Sequence, residues 1–142
     1  MIQNACYTLF SKNLVTSSIS VLISSEDKEF FHFTVSYTII TNLYKLLIND
    51  LVKSYERIVK DNIFIKTIGY SIITQDIKNE HYDIFTDLKE VEKEKKLVTS
   101  VLNLKQKYGK NSILKALDYE ENATIRERNK MIGGHNGGED DK

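Results

Sequence analysis

The side chains in this sequence that could carry bond-making chemistry are few and scattered. Cys6 is the only cysteine, and His32, His81 and His135 stand far apart, none with a second ligand at metal-binding spacing. No zinc site is expected. Cys6 reads as a small buried apolar residue rather than a nucleophile, because no histidine lies near it in sequence. Glu120-Glu121 and Asp140-Asp141 are neighbouring carboxylates, but their loop-like and tail-like surroundings favour solvation over acid–base work. The closing stretch "ERNKMIGGHNGGEDDK" sets Gly133-Gly134 beside His135. A phosphate-binding loop needs a strand before its glycines and a helix after them, and the sequence around this pair predicts neither.

More promising are two runs in which small hydroxyl residues alternate with apolar ones. From Leu14 onward, Val15, Ile19, Val21 and Ile23 fall on one side, with Thr16, Ser18, Ser20 and Ser24 on the other. After the turn chemistry of "SSEDKE", Phe31, Phe33, Val35 and Tyr37 alternate with His32, Thr34, Ser36 and Thr38. The two runs predict a β-hairpin with one apolar face and one face of small hydroxyls. By itself such a polar face is an ordinary solvated strand surface.

Elements on either side must position this hairpin. Ile2, Cys6, Leu9 and Phe10 have helical spacing over residues 2 to 11. Thr41 or Asn42 can cap a helix running to about Lys60, with an apolar stripe of Leu43, Leu47, Leu51, Tyr55, Ile58 and Val59. "IFIKTIGYSIIT" predicts a third strand in which Gly69 marks a spot where a side chain would be unwelcome. Residues 75 to 80 read as a polar linker. Asp87 to Tyr108 predicts a charged helix with Gly109 as its C-cap, followed by the short apolar piece "SILKALDY". The fold class is therefore α+β: an antiparallel sheet with helices on one face over residues 1–77, followed by a helical C-terminal extension over 78–142.

Composition sets outer bounds. A chain of 142 residues accommodates one core with an appendage. Its longest apolar runs stop well short of the roughly 18 residues of a membrane span, and no signal peptide is visible. One cysteine suits a reducing, cytoplasmic setting. Formal net charge is zero, which argues against indiscriminate binding to nucleic acid. The balance is local: Lys105, Lys107, Lys110, Lys115, Arg126, Arg128 and Lys130 form a basic set, offset by the tail Glu139, Asp140 and Asp141, which reads as a disordered acidic end.

Several stretches, in order, resemble one family. "TSSISVLIS" is similar to the "TVSLSIGYS" strand of the little finger, the C-terminal DNA-gripping domain of Y-family translesion DNA polymerases (the UmuC, DinB and ImpB type). A second strand with Phe31-His32, a helix start at Thr41-Asn42 and the strand "IKTIGYS" follow in the family's order. "HYDIFTD" resembles the family's sliding-clamp motif "QLSLFDD", "KYGKNSILKA" its "KFGxNAILRA", and "ERNKMIGGH" its closing "ERxKxIGGHK". The likeness covers about residues 5 to 135 and begins partway into the little finger's first helix. It therefore implies a catalytically inert part of a polymerase, without the carboxylates that hold two magnesium ions elsewhere in such enzymes and with no cofactor of its own.

The resemblance implies two sites. The open sheet face would meet primer-template DNA through Thr16, Ser18, Ser20, His32, Thr34, Ser36, Lys66, Thr67 and Ser71, small residues that let phosphate oxygens approach and fix register without reading bases. Two positions that are arginine in the family are uncharged here, at Leu14-Val15 and at Thr67, so binding should be modest. The second site is His81, Tyr82, Asp83, Ile84 and Phe85, an extended segment able to fill an apolar pocket on the replication sliding clamp. Its alternative is a β-bridge or helix start with Phe85 in the core. The basic extension is either a second phosphate-contacting surface or a solvated helix face. A rival class is a pure interaction module that docks the clamp or another polymerase chain without DNA. With the family's first strand absent, an exposed sheet edge is expected to aggregate or to pair with a second chain.

Overall fold

A computed structural model describes residues 1–59, 63–113, 131–132 and 135–136 of the chain. They fall into two compact units, residues 1–95 and 96–142. The first unit contains α1 (Ile2–Ser11), β1 (Leu14–Ser25), β2 (Phe30–Thr41), α2 (Tyr44–Ile58), β3 (Ile65–Asp76) and the start of α3 (Leu88–Tyr108). Its sheet has the order β2-β1-β3 with both pairings antiparallel. The class is α+β, as the alternation of the two hydroxyl runs and the helical stripes predicts.

The β1–β2 hairpin owes its register to apolar pairing. Ile19, Val21 and Ile23 stand opposite Val35, Phe33 and Phe31, and all point to the side where Cys6 of α1 and Leu47 and Leu51 of α2 pack. A one-residue slip would turn all of them to water, which specifies the register strongly. The hairpin closes through Ser25, whose N–H donates to Glu29 O at 2.9 Å and whose Oγ accepts from Glu29 N at 3.0 Å. Lys28 takes a left-handed conformation (φ 64°) to complete the turn.

The start of α2 differs from its sequence expectation. Leu43, not Thr41 or Asn42, occupies the N-cap, and it offers no side-chain acceptor. Asn42 Nδ2 instead donates to Leu14 O at 2.9 Å, and Thr41 Oγ1 accepts from Leu43 N at 3.3 Å. The exposed amide of Lys45 is met by Glu94 Oε1 of α3 at 3.1 Å. A carboxylate from another helix thus supplies the oxygen that a capping residue would have supplied, at the end of the helix where negative charge is favoured. This is why Glu94, a charged residue, is buried.

β3 runs beside β1 and extends to Asp76, so the polar linker is shorter than the sequence predicts. Asp76 Oδ1 accepts from Lys78 N at 2.9 Å and caps a 3-10 turn over Ile77–Asn79. Gly69 is not sterically required: a Cβ there would meet only Leu22 O, at 3.9 Å. In the second unit α3 continues to Tyr108 and stops at Gly109 with φ 92°, the C-cap the sequence predicts. Met131–Ile132 (β4) pairs antiparallel with His135–Asn136 (β5). A strand does precede the glycine pair, but a strand and not a helix follows it. The apolar piece beyond Ile113, Glu120-Glu121, Lys115, Arg126, Arg128, Lys130, Gly133-Gly134 and the acidic tail all lie outside the described residues.

Candidate nucleic-acid interface

With α1 and α2 packed on one side of the sheet, the other side is open, and pairing sets its residues in rows. Ser36, Ser18 and Ile73 form one row, Thr34, Ser20 and Ser71 the next, then His32, Leu22 and Gly69, and last Phe30, Ser24 and Thr67. Ser20 Oγ lies 2.8 Å from Thr34 Oγ1, and Ser24 Oγ lies 2.5 Å from Thr67 Oγ1. These cross-strand bonds orient the hydroxyls, and each oxygen keeps further donor or acceptor capacity for a ligand. The row of Gly69 leaves a stretch of backbone bare beside Leu22 and His32.

Ser18, Ser20, His32, Thr34, Ser36, Thr67 and Ser71 therefore come together on one surface. Thr16 does not join them: it is 0% exposed, its Oγ1 lying 2.7 Å from Ile73 O and 3.1 Å from Ser18 N. The reason is a bulge. Two steps along β1, from Thr16 to Ser18, oppose one step along β3, from Thr74 to Ile73, so simple alternation fails across Ser17. Lys66 falls in a second bulge, where Ser24 and Ser25 pair with Thr67 and Ile65 and leave it over; it is exposed, but no cross-strand pair sets it in the rows of the open face.

Three apolar residues escaped the sequence-based set. Phe30 is 71% exposed, Ile73 64% and Leu22 50%, all in the rows of the open face. Counting by twos from Ser20 reaches Leu22, and pairing Ser18 across to β3 reaches Ile73, so the signal was present once the strand register was known. The face is a hydroxylated plane around His32 with an apolar border, suited to close approach by a backbone-dominated surface.

The segment from His81 to Phe85 divides into an anchor and a tip. His81 makes a β-bridge with Ile40, its N–H donating to Ile40 O at 2.9 Å while its carbonyl accepts from Ile40 N at 2.8 Å. Tyr82 is half-buried, and its hydroxyl donates to Glu80 Oε1 at 2.6 Å. Burial first, and then the Glu80 carboxylate, push that hydroxyl well above its ordinary value. Lys95 Nζ pairs with Glu80 Oε2 at 2.5 Å and sits 5.6 Å above the Tyr82 ring. Asp83 then folds the chain back: its Oδ1 accepts from Phe85 N at 3.1 Å and from Thr86 Oγ1 at 2.7 Å. The result is a turn, not an extended strand, that leaves Ile84 92% and Phe85 89% exposed. The bridge of the alternative reading forms at His81, while Phe85 stays out of the core.

Among the described residues, no three His, Cys, Asp or Glu side chains are grouped to hold a metal ion, and no helix is long and apolar enough to cross a membrane. Cys6 is buried, and burial, reinforced by Glu94, pushes its thiol from 9.0 up to about 12. It is a packing residue, protonated at neutral pH. No family model, curated protein or solved structure matches the chain.

Proposed function

We propose that this chain binds primer-template DNA through the open face of its sheet, as the gripping part of a Y-family translesion polymerase acting in DNA repair. The observation that supports this reading best is the set of cross-strand rows of Ser and Thr, from Ser36 and Ser18 to Thr67. Small hydroxyls on a twisted sheet let sugar and phosphate oxygens come close and accept or donate hydrogen bonds without selecting bases. Such a grip suits a polymerase that must pass over damaged bases. Within this proposal, magnesium-dependent synthesis belongs to other parts of the polymerase, and this chain holds the duplex.

Charge sets the expected strength. The rows of the face are hydroxyls, apolar residues, Gly69 and His32, with the exposed Lys66 next in sequence to Thr67. Few counterions would be released on binding, so affinity should be modest and only weakly dependent on salt. Fluorescence anisotropy with primed duplex, at low and moderate salt, tests the reading. Binding at low salt that is lost in Ser20→Glu and retained in a Glu56→Gln control supports it; no binding at low salt contradicts it.

A second reading has its own observation. Ile84 and Phe85 stand almost fully in water at the tip of a turn whose base is fixed by Tyr82 and Asp83. Apolar anchors on a pre-shaped turn bind a pocket at small ordering cost. We propose that they dock the sliding clamp, with or without DNA on the sheet. The double change of Ile84 and Phe85 to alanine should abolish clamp binding while leaving thermal stability unchanged.

A further inference from the structure

Gly69 is a glycine that the fold does not need. It lies within β3 between Ile68 and Tyr70, in a stretch otherwise built of the β-branched and aromatic residues that strands favour. Glycine inside a strand marks a bulge, a tight bend, or a place where something else comes close to the backbone. Pairing excludes the bulge, because Ile68, Gly69 and Tyr70 stand opposite Ile23, Leu22 and Val21 in unbroken register. Gly69 also lacks the left-handed conformation for which glycine is preferred. Crowding within the protein is no reason either: among the described residues an added Cβ would meet only Leu22 O, at 3.9 Å, an ordinary contact. What remains is close approach from outside, and Gly69 lies on the open face, in one row with Leu22 and His32.

We propose, resting on the nucleic-acid reading of the open face, that one sugar ring of the bound strand packs on the bare backbone of Gly69 beside Leu22, with its two flanking phosphates at the hydroxyls of Thr67 and Ser71. The chemistry of the notch selects this occupant. Thr67, Gly69 and Ser71 alternate onto the same face of β3, so the two hydroxyls stand about 13 Å apart along the strand. That span admits one sugar with a phosphate on each side of it. The floor between them is the glycine backbone, and its inner wall is Leu22, 50% exposed, both suited to the C–H surface of a sugar and to no charged group. At one end Ser24 Oγ lies 2.5 Å from Thr67 Oγ1. With Ser24 as donor, the Thr67 hydrogen is left for a phosphate oxygen. A side chain at position 69 would lift the sugar and draw both phosphates away from their hydroxyls, so Gly69 is a positioning residue for the whole β3 side of the face.

Urea denaturation and fluorescence anisotropy with primed duplex at low salt, on the same full-length variants, test this. Gly69→Ala and Gly69→Val should unfold at or above the wild-type urea midpoint, because a side chain fits there and suits a strand. Duplex affinity should nevertheless fall, about threefold in Gly69→Ala and about tenfold in Gly69→Val. Ser71→Ala should weaken binding about threefold in the wild-type background and hardly at all on top of Gly69→Val, since the lifted strand no longer reaches that hydroxyl. Wild-type binding that Ser20→Glu abolishes but Gly69→Val leaves intact would overturn this inference and spare the nucleic-acid reading, whereas no binding by the wild type would overturn both. Lower urea midpoints in both Gly69 variants would show that the fold does need the glycine. A Ser71→Ala loss of equal size in both backgrounds would show that no sugar is seated between the two hydroxyls, and either result would overturn the proposal.

Discussion

At the scale of single residues, two positions test how local chemistry shapes this fold. Lys28 holds a left-handed conformation that its Cβ disfavours and that the hairpin turn requires. Lys28→Gly should stabilise the protein by about 1 kcal/mol, read as a higher midpoint in urea denaturation. Cys6 gives a pH prediction of definite sign. Its folded thiol is held at about 12 against an ordinary 9.0, mainly by burial. The contribution is fully present below pH 9.0, where both states are protonated. It is lost as pH rises towards 12, because the unfolded chain releases the proton first. Tyr37, half-buried and pushed up by burial, adds in the same direction. Chemical denaturation from pH 8 upward should show stability falling, and Cys6→Ala should flatten part of that fall. That Cys6 would be buried was legible from its helical spacing with Ile2 and Leu9. That Thr16 would leave the hydroxyl face was not, because a bulge is set by the partner strand's register and not by the residues of β1 alone.

The elements show the same division between local and long-range information. α1, the hairpin and the C-cap of α3 follow from periodicity and turn chemistry carried by neighbouring residues, and the structure places them where those signals predict. The beginning of α2 does not, because its capping oxygen comes from Glu94, remote in sequence. No local pattern at Thr41 or Asn42 announces that. Glu94→Ala should leave the Lys45 amide without its acceptor and cost about 1–2 kcal/mol, whereas Glu94→Gln, which keeps an oxygen at the same place, should lose less. Thermal melts of the two variants compare them directly. The segment from His81 to Phe85 was legible as a candidate docking stretch, but its shape was not: the turn depends on Asp83 bonding to Phe85 N and Thr86, and the anchoring depends on Lys95 reaching Glu80 across the linker.

For the molecule as a whole, the α+β architecture and the two-faced sheet follow from alternation, and the hydroxyl rows follow once the strands are aligned. In the apolar border, Leu22 and Phe30 follow from counting by twos from Ser20 and His32, while Ile73 emerges only from the alignment of β3 with β1. The central claim is that the open face, and not the helices or the basic extension, meets DNA. Amide chemical-shift mapping with primed duplex at low salt tests it most directly. The account predicts perturbations concentrated at Ser18, Ser20, His32, Thr34, Ser36, Thr67 and Ser71, with α1 and α2 unaffected. Perturbations confined to Lys105, Lys107 and Lys110, or none at low salt, would contradict it.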